Sequence, residues 1–252
     1  VADAGAAAMI GEQPFRRVGE ARKHGIVCVA DHASNFVPAD IALGIPEALL
    51  GNHIAVDIGT AGIADRLARR HGIPAHIAAV SRIVCDLHRT EDSPGLVPVT
   101  SDGHTIPGNI GANIEGRIER FHRPYHTALG AWLDAAEPEL ILALHSFTPS
   151  LASREEDRPW QVALLYNQDD RAARHAIRLF EAEGLTVGDN QPYSGRDLNA
   201  TMDRHAEAKG RPYMTIEIRQ DEITTEAQQA RWAALVADVA ERTALALRGG
   251  KV

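Results

Sequence analysis

Apolar positions along this chain fall into short dense runs, and the stretches between the runs carry helical spacing. Two runs set the pattern: Ile26-Val27-Cys28-Val29-Ala30 leading into Asp31-His32, and Leu140-Ile141-Leu142-Ala143-Leu144 leading into His145. A run of this length bounded by polar residues reads as a strand buried on both faces of a parallel sheet. The pattern predicts strands at 26–31, 75–79, 81–87, 139–145, 160–166 and 213–218. A helix over 54–71 follows from Ile54, Ile58, Ala61, Ile63, Ala64 and Leu67, with Gly72 as its stop. Further helices are predicted over 113–136, 170–183 (stopped by Gly184) and 226–247. The segment 90–115, with its prolines, glycines and Asp102-Gly103, reads as a long loop. This alternation predicts an α/β fold in three layers: a mixed, mostly parallel sheet with helices on both faces. No Pro-, Gly- or Ser-rich linker and no internal repeat divides it, so 1–252 reads as a single domain, with 1–20 as a peripheral N-terminal segment.

Composition narrows the partners. The chain has 252 residues, 44% hydrophobic and 24% charged, with a formal net charge of −8. That is an ordinary globular composition, and its sign argues against nucleic acid or an anionic membrane as partner. No apolar stretch approaches the roughly 18 residues of a membrane-spanning helix. Val1–Gly11 is Ala-rich but lacks the basic start and long apolar centre of a secretion signal. The two cysteines, Cys28 and Cys85, both fall in predicted buried strands and read as core thiols, which fits a reducing cytoplasm. Nothing in the pattern fixes an oligomeric state.

The candidate chemistry sits where the runs end. In open α/β sheets, ligands bind beyond the carboxyl ends of the strands, and His32 and His145 are delivered there. Imidazole is a good zinc ligand, and catalytic zinc takes three protein ligands plus water. Taken singly, each histidine also reads as a strand-end residue bonded to a backbone carbonyl. Asp31 could orient His32 from behind. Asp57 could aim across the same edge, or simply be an acid favoured at a helix start. Glu217, in Met214-Thr215-Ile216-Glu217-Ile218-Arg219, is a carboxylate inside a β-branched strand, which is costly to bury without a reason. It reads as a general base or as an ion pair with Arg219. Arg82 and Arg89 lie near the two ends of the segment Ser81–Arg89 and form a candidate clamp for a substrate carboxylate, with Asp86 as a competing structural partner. Pro107-Gly108-Asn109 and Gln191-Pro192-Tyr193-Ser194-Gly195 are loops whose polar groups, Asn109 and Tyr193 among them, could close over a ligand. Phe121-His122-Arg123-Pro124-Tyr125-His126 reads as helix packing.

Taken in order, these pieces resemble the N-formylglutamate amidohydrolase family. The resemblance rests on Asp31-His32-Ala33-Ser34-Asn35, His53 through Gly59, Ser81 through Arg89, Ser101-Asp102-Gly103 with Pro107-Gly108-Asn109, Pro124-Tyr125-His126, His145-Ser146-Phe147-Thr148-Pro149, Gly188 through Gly195, and Ile216 through Asp221. It implies a phosphorylase/hydrolase-like fold akin to zinc carboxypeptidases and aspartoacylase. It also implies metal-dependent hydrolysis of an N-acyl, typically N-formyl, amino acid. In the related carboxypeptidases a histidine follows the first strand and another a later strand, which His32 and His145 match, and Glu217 matches their glutamate base on a late strand. The carboxypeptidase pattern has an acid three residues after the first histidine. Here that residue is Asn35, so Asp57 is the preferred third ligand and Asn35 the alternative. His88 stands where the family usually has asparagine, beside a retained Arg89.

The reading is therefore a zinc-type amidohydrolase: Glu217 as catalytic base; His32, Asp57 and His145 as metal ligands; and Arg82, Arg89, Asn109 and Tyr193 as binding groups for a small carboxylate substrate such as N-formylglutamate. A deacylase or carboxypeptidase-like enzyme on another N-acylated carboxylate, and a non-catalytic metal- or ligand-binding relative, are the alternatives.

Overall fold

The computed structural model describes residues 13–249; the Val1–Gly11 reading lies outside that range. In chain order the strands are β1 (Phe15–Val18), β2 (Ile26–Ala30), β3 (Ala75–Ala78), β4 (Thr100–Ser101), β5 (His104–Thr105), β6 (Leu140–Phe147), β7 (Val162–Leu165), β8 (Val187–Asp189) and β9 (Tyr213–Arg219). The helices are α1 (Thr60–His71), α2 (Ile114–Arg117), α3 (Arg123–Ala136), α4 (Arg171–Ala182), α5 (Ala200–His205) and α6 (Glu226–Gly249). Seven strands form one sheet in the order β1-β3-β2-β6-β9-β7-β8. The neighbours β3-β2-β6-β9 are all parallel, β7 is antiparallel to β9, and β1 is an antiparallel edge on β3. The expected mixed, mostly parallel sheet is the one observed.

Alternation along the central strands divides the core in two. Cys28, Ala30, Leu142, Leu144, Met214 and Ile216 face α1, α4 and α6. Val27, Val29, Ile141, Ala143 and Tyr213 face α3 and α5. Helices thus cover both faces, as parallel strands buried on both sides require. The two-residue period carries His145 and Glu217 onto the α3 side of the sheet. β6 and β9 are in register there, with His145 opposite Glu217.

Four local readings need correction. The run 81–87 is not a strand: Val84 and Cys85 donate their N–H groups to the Ser81 carbonyl, and Arg89 donates to that of Asp86. Ile83, Val84, Cys85 and Leu87 are buried as expected, but in consecutive turns; an apolar run reports burial, not extension. Cys85 is thus a buried thiol outside any strand. The first helix begins at Thr60, not 54, because Gly59 precedes it at φ 85°. A Cβ at Gly59 would lie 2.6 Å from the Ile223 carbonyl oxygen, so the left-handed turn and the close approach both require glycine. The stretch 90–115 holds the β4–β5 hairpin, turned by Asp102 and Gly103 at φ 40° and 79°, the pair that a type I′ turn needs. Within the stretch expected to be peripheral, β1 completes one edge of the sheet. Among the described residues no helix is long and apolar enough to cross a membrane.

The α3 face also buries imidazoles. His76 stacks on Phe15 at 4.5 Å, meets Tyr125 edge-on at 4.8 Å and accepts from Arg17 Nε–H at 3.1 Å. Burial, with the charge of Arg17 second, pushes its pKa down to about 3. The unfolded ring, near 6.5, takes up the proton first, so this contribution to stability is whole above pH 6.5 and is lost as pH falls toward 3. Urea unfolding is expected to lose about 2 kcal/mol from this source between pH 7 and pH 5. His76→Phe should flatten the pH dependence by that amount; an unchanged slope would remove His76 as its origin.

Candidate active site

The central strands deliver their last residues to one rim. Asp31 and His32 follow β2, His145 lies in β6 and Glu217 in β9; Asp57 arrives from the turn before α1, with its N–H donated to the His32 carbonyl at 2.9 Å. Because the left-handed Gly59 delays the helix to Thr60, Asp57 lies in the turns before it and its carboxylate reaches across the rim. Its Oδ2 lies 2.9 Å from His145 Nδ1 and 3.4 Å from His32 Nδ1, and it accepts the Ser146 N–H at 3.3 Å. Its Oδ1 accepts from Arg82 Nη1 at 3.1 Å. Burial opposes ionisation of Asp57, but His32, His145 and Arg82 hold its carboxyl far below the usual range.

His32 is backed by a carboxylate, its Nε2–H donating to Asp86 Oδ1 at 2.7 Å, whereas His145 Nε2 is buried without a hydrogen-bond partner, 3.9 Å from Asp31 Oδ2. Asp31 is itself held by the Tyr125 hydroxyl at 2.5 Å and by His88 Nδ1 at 3.0 Å. Arg82 Nη2 donates to Asp86 Oδ2 at 3.1 Å, so a single guanidinium ties Asp57 to Asp86. The i, i+4 placement of Arg82 and Asp86 on one side comes from the turns of 81–89, which a strand would not provide.

This donor set fits a divalent cation. With His32 Nε2–H engaged by Asp86, the Nδ1 lone pair faces the Asp57 carboxylate, buried and without a hydrogen-bond partner. Two facing lone pairs repel unless a positive charge lies between them. Ligand bonds of about 2.0–2.1 Å in a tetrahedron set donors about 3.4 Å apart, close to the separations found. The same field acts on a proton: burial and Arg82 oppose a charged His32, yet Asp86 and Asp57 outweigh them and lift its pKa to about 9. A second group, Asp31, His88 and His145, also converges. The oxygens of Asp31 are already engaged by the Tyr125 hydroxyl and by His88 Nδ1.

These groups open into a cavity of about 190 Å³. Glu217 lines it, with Oε2 buried and unpartnered, and burial followed by the charge of Asp57 pushes its pKa up to about 8. Arg219 is turned away toward Asp221, so the ion-pair reading of Glu217 does not hold. Arg82, Arg89 and Tyr193 line the cavity, as expected of binding groups, but two expectations fail. Asn109 is not at the cavity; its amide donates to the carbonyls of Ile83 and Pro98, both at 2.8 Å, and pins the 81–89 turns. Asn35 donates to the Leu50 carbonyl at 3.0 Å and also lies off the cavity.

Sequence reasoning missed His53 and the role of Tyr125. His53 lines the cavity and donates Nε2–H to Asp102 Oδ2 at 3.0 Å; Asp102 also caps the N–H groups of Ala152 and Ser153, fastening the hairpin to the 148–153 loop. The signal was the Asp102-Gly103 turn, but its target lies 49 residues away. A larger recess, about 570 Å³, lies elsewhere, between α4 and the end of α6. Its arginines are paired, Arg174 with Asp189, Arg248 with Glu139 and Arg171 with Asp169.

Comparison with known proteins agrees with this geometry. The family model for N-formylglutamate amidohydrolase matches residues 24–224. The structure of gene product Atu2144 from Agrobacterium tumefaciens superposes with a TM-score of 0.87 at 28% identity, covering 94% of this chain and 96% of that one. N-formylglutamate amidohydrolase from Ralstonia eutropha JMP134 gives 0.73 at 21% identity over 94% and 99%. A bacteriophage poly-gamma-glutamate hydrolase gives 0.51 at 10% identity over 97% and 94%, a likeness of fold alone. No curated protein sequence matches significantly.

If Asp86 fixes the His32 tautomer, Asp86→Asn should weaken zinc affinity about 10–100-fold in a competition titration against a chromophoric chelator. Asn35→Ala should leave it unchanged. The reverse order would move the third ligand to Asn35.

Proposed function

The chain belongs to the N-formylglutamate amidohydrolase family, and on that premise we propose that it is a divalent-metal-dependent hydrolase of the amide bond in an N-formyl or other N-acyl amino acid. The observation that carries this reading is the meeting of His32 Nδ1 and His145 Nδ1 at Asp57 Oδ2, beside the unpartnered carboxyl of Glu217.

His32, Asp57 and His145 would hold the cation, and nitrogen–oxygen donors of this kind suit zinc. Such an ion supplies polarisation of the scissile carbonyl and acidifies water at neutral pH. Glu217, buried at the cavity wall with a free oxygen, removes a proton from the attacking water as its oxygen bonds to the acyl carbon. Arg82, fixed by Asp57 and Asp86, places a positive charge beside the oxygen that becomes anionic. When the carbon–nitrogen bond breaks, Glu217 returns the proton to the departing amine. The products are the free amino acid and the carboxylic acid of the acyl group, formate for an N-formyl substrate. Arg89 anchors the substrate carboxylate, and Tyr193 covers it from the 190–195 loop. Buried, unpaired Cys28 and Cys85 suit a reducing compartment, the cytoplasm by this reading.

Chelation is expected to abolish hydrolysis of N-formyl amino acids, and added zinc to restore it. Glu217→Gln should lower kcat by about 10²–10⁴-fold while metal stoichiometry stays at the wild-type value. Full activity after chelation, or in the glutamine variant, would sink the mechanism.

A further inference from the structure

The segment 121–126, read from sequence as helix packing, also reaches the back of the cavity wall. A π-helical turn, Ile118–His122, joins α2 to α3, and Pro124 sits in the first turn of α3. Turns of this kind are rare and occur mostly at functional sites. His122 Nε2–H donates to the Arg89 carbonyl at 2.8 Å, and four residues on His126 Nε2–H donates to the Leu87 carbonyl at 2.9 Å. The two rings lie 4.3 Å apart. Between them Tyr125 holds Asp31, whose other oxygen binds His88 Nδ1. The stretch 122–126 thus braces 87–89: Leu87 and Arg89 by their carbonyls, and His88 through Asp31.

Both imidazoles act as specific donors. A carbonyl only accepts, so each Nε2 carries hydrogen, and a neutral ring keeps its lone pair on Nδ1. Burial lowers the pKa of both rings and keeps them neutral. The His126 lone pair accepts from His205 Nε2–H at 2.9 Å, with the rings stacked within 10° of parallel. The His122 Nδ1 is buried with no hydrogen-bond partner. An apolar side chain would fill that space without an unmatched nitrogen, so what the imidazole contributes is its bond to the Arg89 carbonyl. Arg89 depends on such support. Arg82 is fixed through its guanidinium by Asp57 and Asp86. Among the described residues no hydrogen bond holds the guanidinium of Arg89, and Asp86 Oδ2 lies 3.8 Å away. Its place in the cavity wall is therefore set from the backbone end.

We infer that His122 and His126 are positioning residues for the substrate carboxylate: by fixing the carbonyls on either side of His88, they set where Arg89 presents its guanidinium. Neither imidazole lines the cavity, so each acts through Arg89. Paired guanidinium–carboxylate hydrogen bonds demand a defined geometry, and a misplacement of about 1 Å in a positioning group can cost about a hundredfold. The inference rests on the reading of Arg89 as the carboxylate anchor, and its test separates the two.

The test compares two amides of different reach on the zinc-loaded protein. His122→Asn and His126→Asn stop short of the carbonyls, whereas His122→Gln and His126→Gln return an N–H to about the reach of Nε2. Each asparagine variant should raise KM for N-formyl-glutamate by about tenfold and leave kcat within about twofold, and glutamine should recover most of that loss. In an Arg89→Gln background the asparagine substitutions should change KM by less than about twofold, because the group they act through is gone. Calorimetric binding of N-formyl-glutamate to the zinc-loaded Glu217→Gln protein repeats the cycle without turnover. Losses that add to that of Arg89→Gln, a fall in kcat at constant KM, or asparagine variants equal to the wild type overturn the inference and leave the anchor standing. Binding indifferent to Arg89→Gln removes the anchor and the inference with it. One variant that fails to fold leaves the other position to decide; failure of both asparagine variants to fold assigns the imidazoles to stability alone and overturns the inference.

Discussion

A carboxylate buried at the end of a parallel sheet is tolerated only if its charge is met on every side, and Asp57 is met by two imidazoles, a guanidinium and a backbone N–H. Much of the rim depends on this. Asp57 must reach inward from a stretch that is neither strand nor helix, which the left-handed Gly59 makes possible by delaying α1. Arg82 must approach from the opposite side, and the turns of 81–89 bring it there, anchored by the Ser81 hydroxyl on the Ala55 carbonyl at 2.7 Å. The two segments that carry Asp57 and Arg82 are thus tied through backbone as well as through charge. Removing either partner would leave the other buried and unmatched, a more serious loss than the surface ion pairs of this chain represent.

The same economy governs the histidines. Each imidazole at the cavity faces a carboxylate, and the carboxylates behind them are in turn fixed: Asp86 by Arg82, Asp31 by Tyr125 and His88, and Asp102 by the N–H groups of Ala152 and Ser153. This backing sets which ring nitrogen carries a proton and therefore which one presents a lone pair. It also uses up the positive charge of the wall. A site so thoroughly paired recognises a ligand through the few groups left free, which is why Arg89 and Glu217 stand out against neighbours of the same chemical type.

Legibility from sequence followed the range of the interactions. His145 and Glu217 were readable because a buried parallel strand has a marked end, and the two-residue period then fixes the face. The apolar residues of 81–87 were readable as buried, but their turns depend on Ser81, Asp86 and a distant carbonyl, so a strand was the wrong inference. Ile54 and Ile58 continue the helical spacing of α1, yet Gly59 and its contact with Ile223 break the helix, and only three dimensions show that contact. Asn109 carries polar groups suited to a ligand, but the carbonyls of Ile83 and Pro98 use its amide first. β1, β8 and α5 are too short for their periodicity to register. Tyr125 and Asp31 lie 94 residues apart, and their pairing has no local signature at all.

Scaffold and chemistry are therefore specified by different parts of the chain. Strand order and the two hydrophobic faces rest on apolar volume and alternation, which many sequences satisfy, so likeness of fold survives where few residues are shared. The site rests on individual atoms: moving Asp57 Oδ2 by one residue of register would separate it from both Nδ1 atoms and leave every helix in place. A relative that keeps the sheet but changes Asp57, Asp86 or Arg82 would retain the architecture and lose the charge balance that lets two imidazoles share one oxygen. Membership of the family consequently says most about this chain where those three side chains meet.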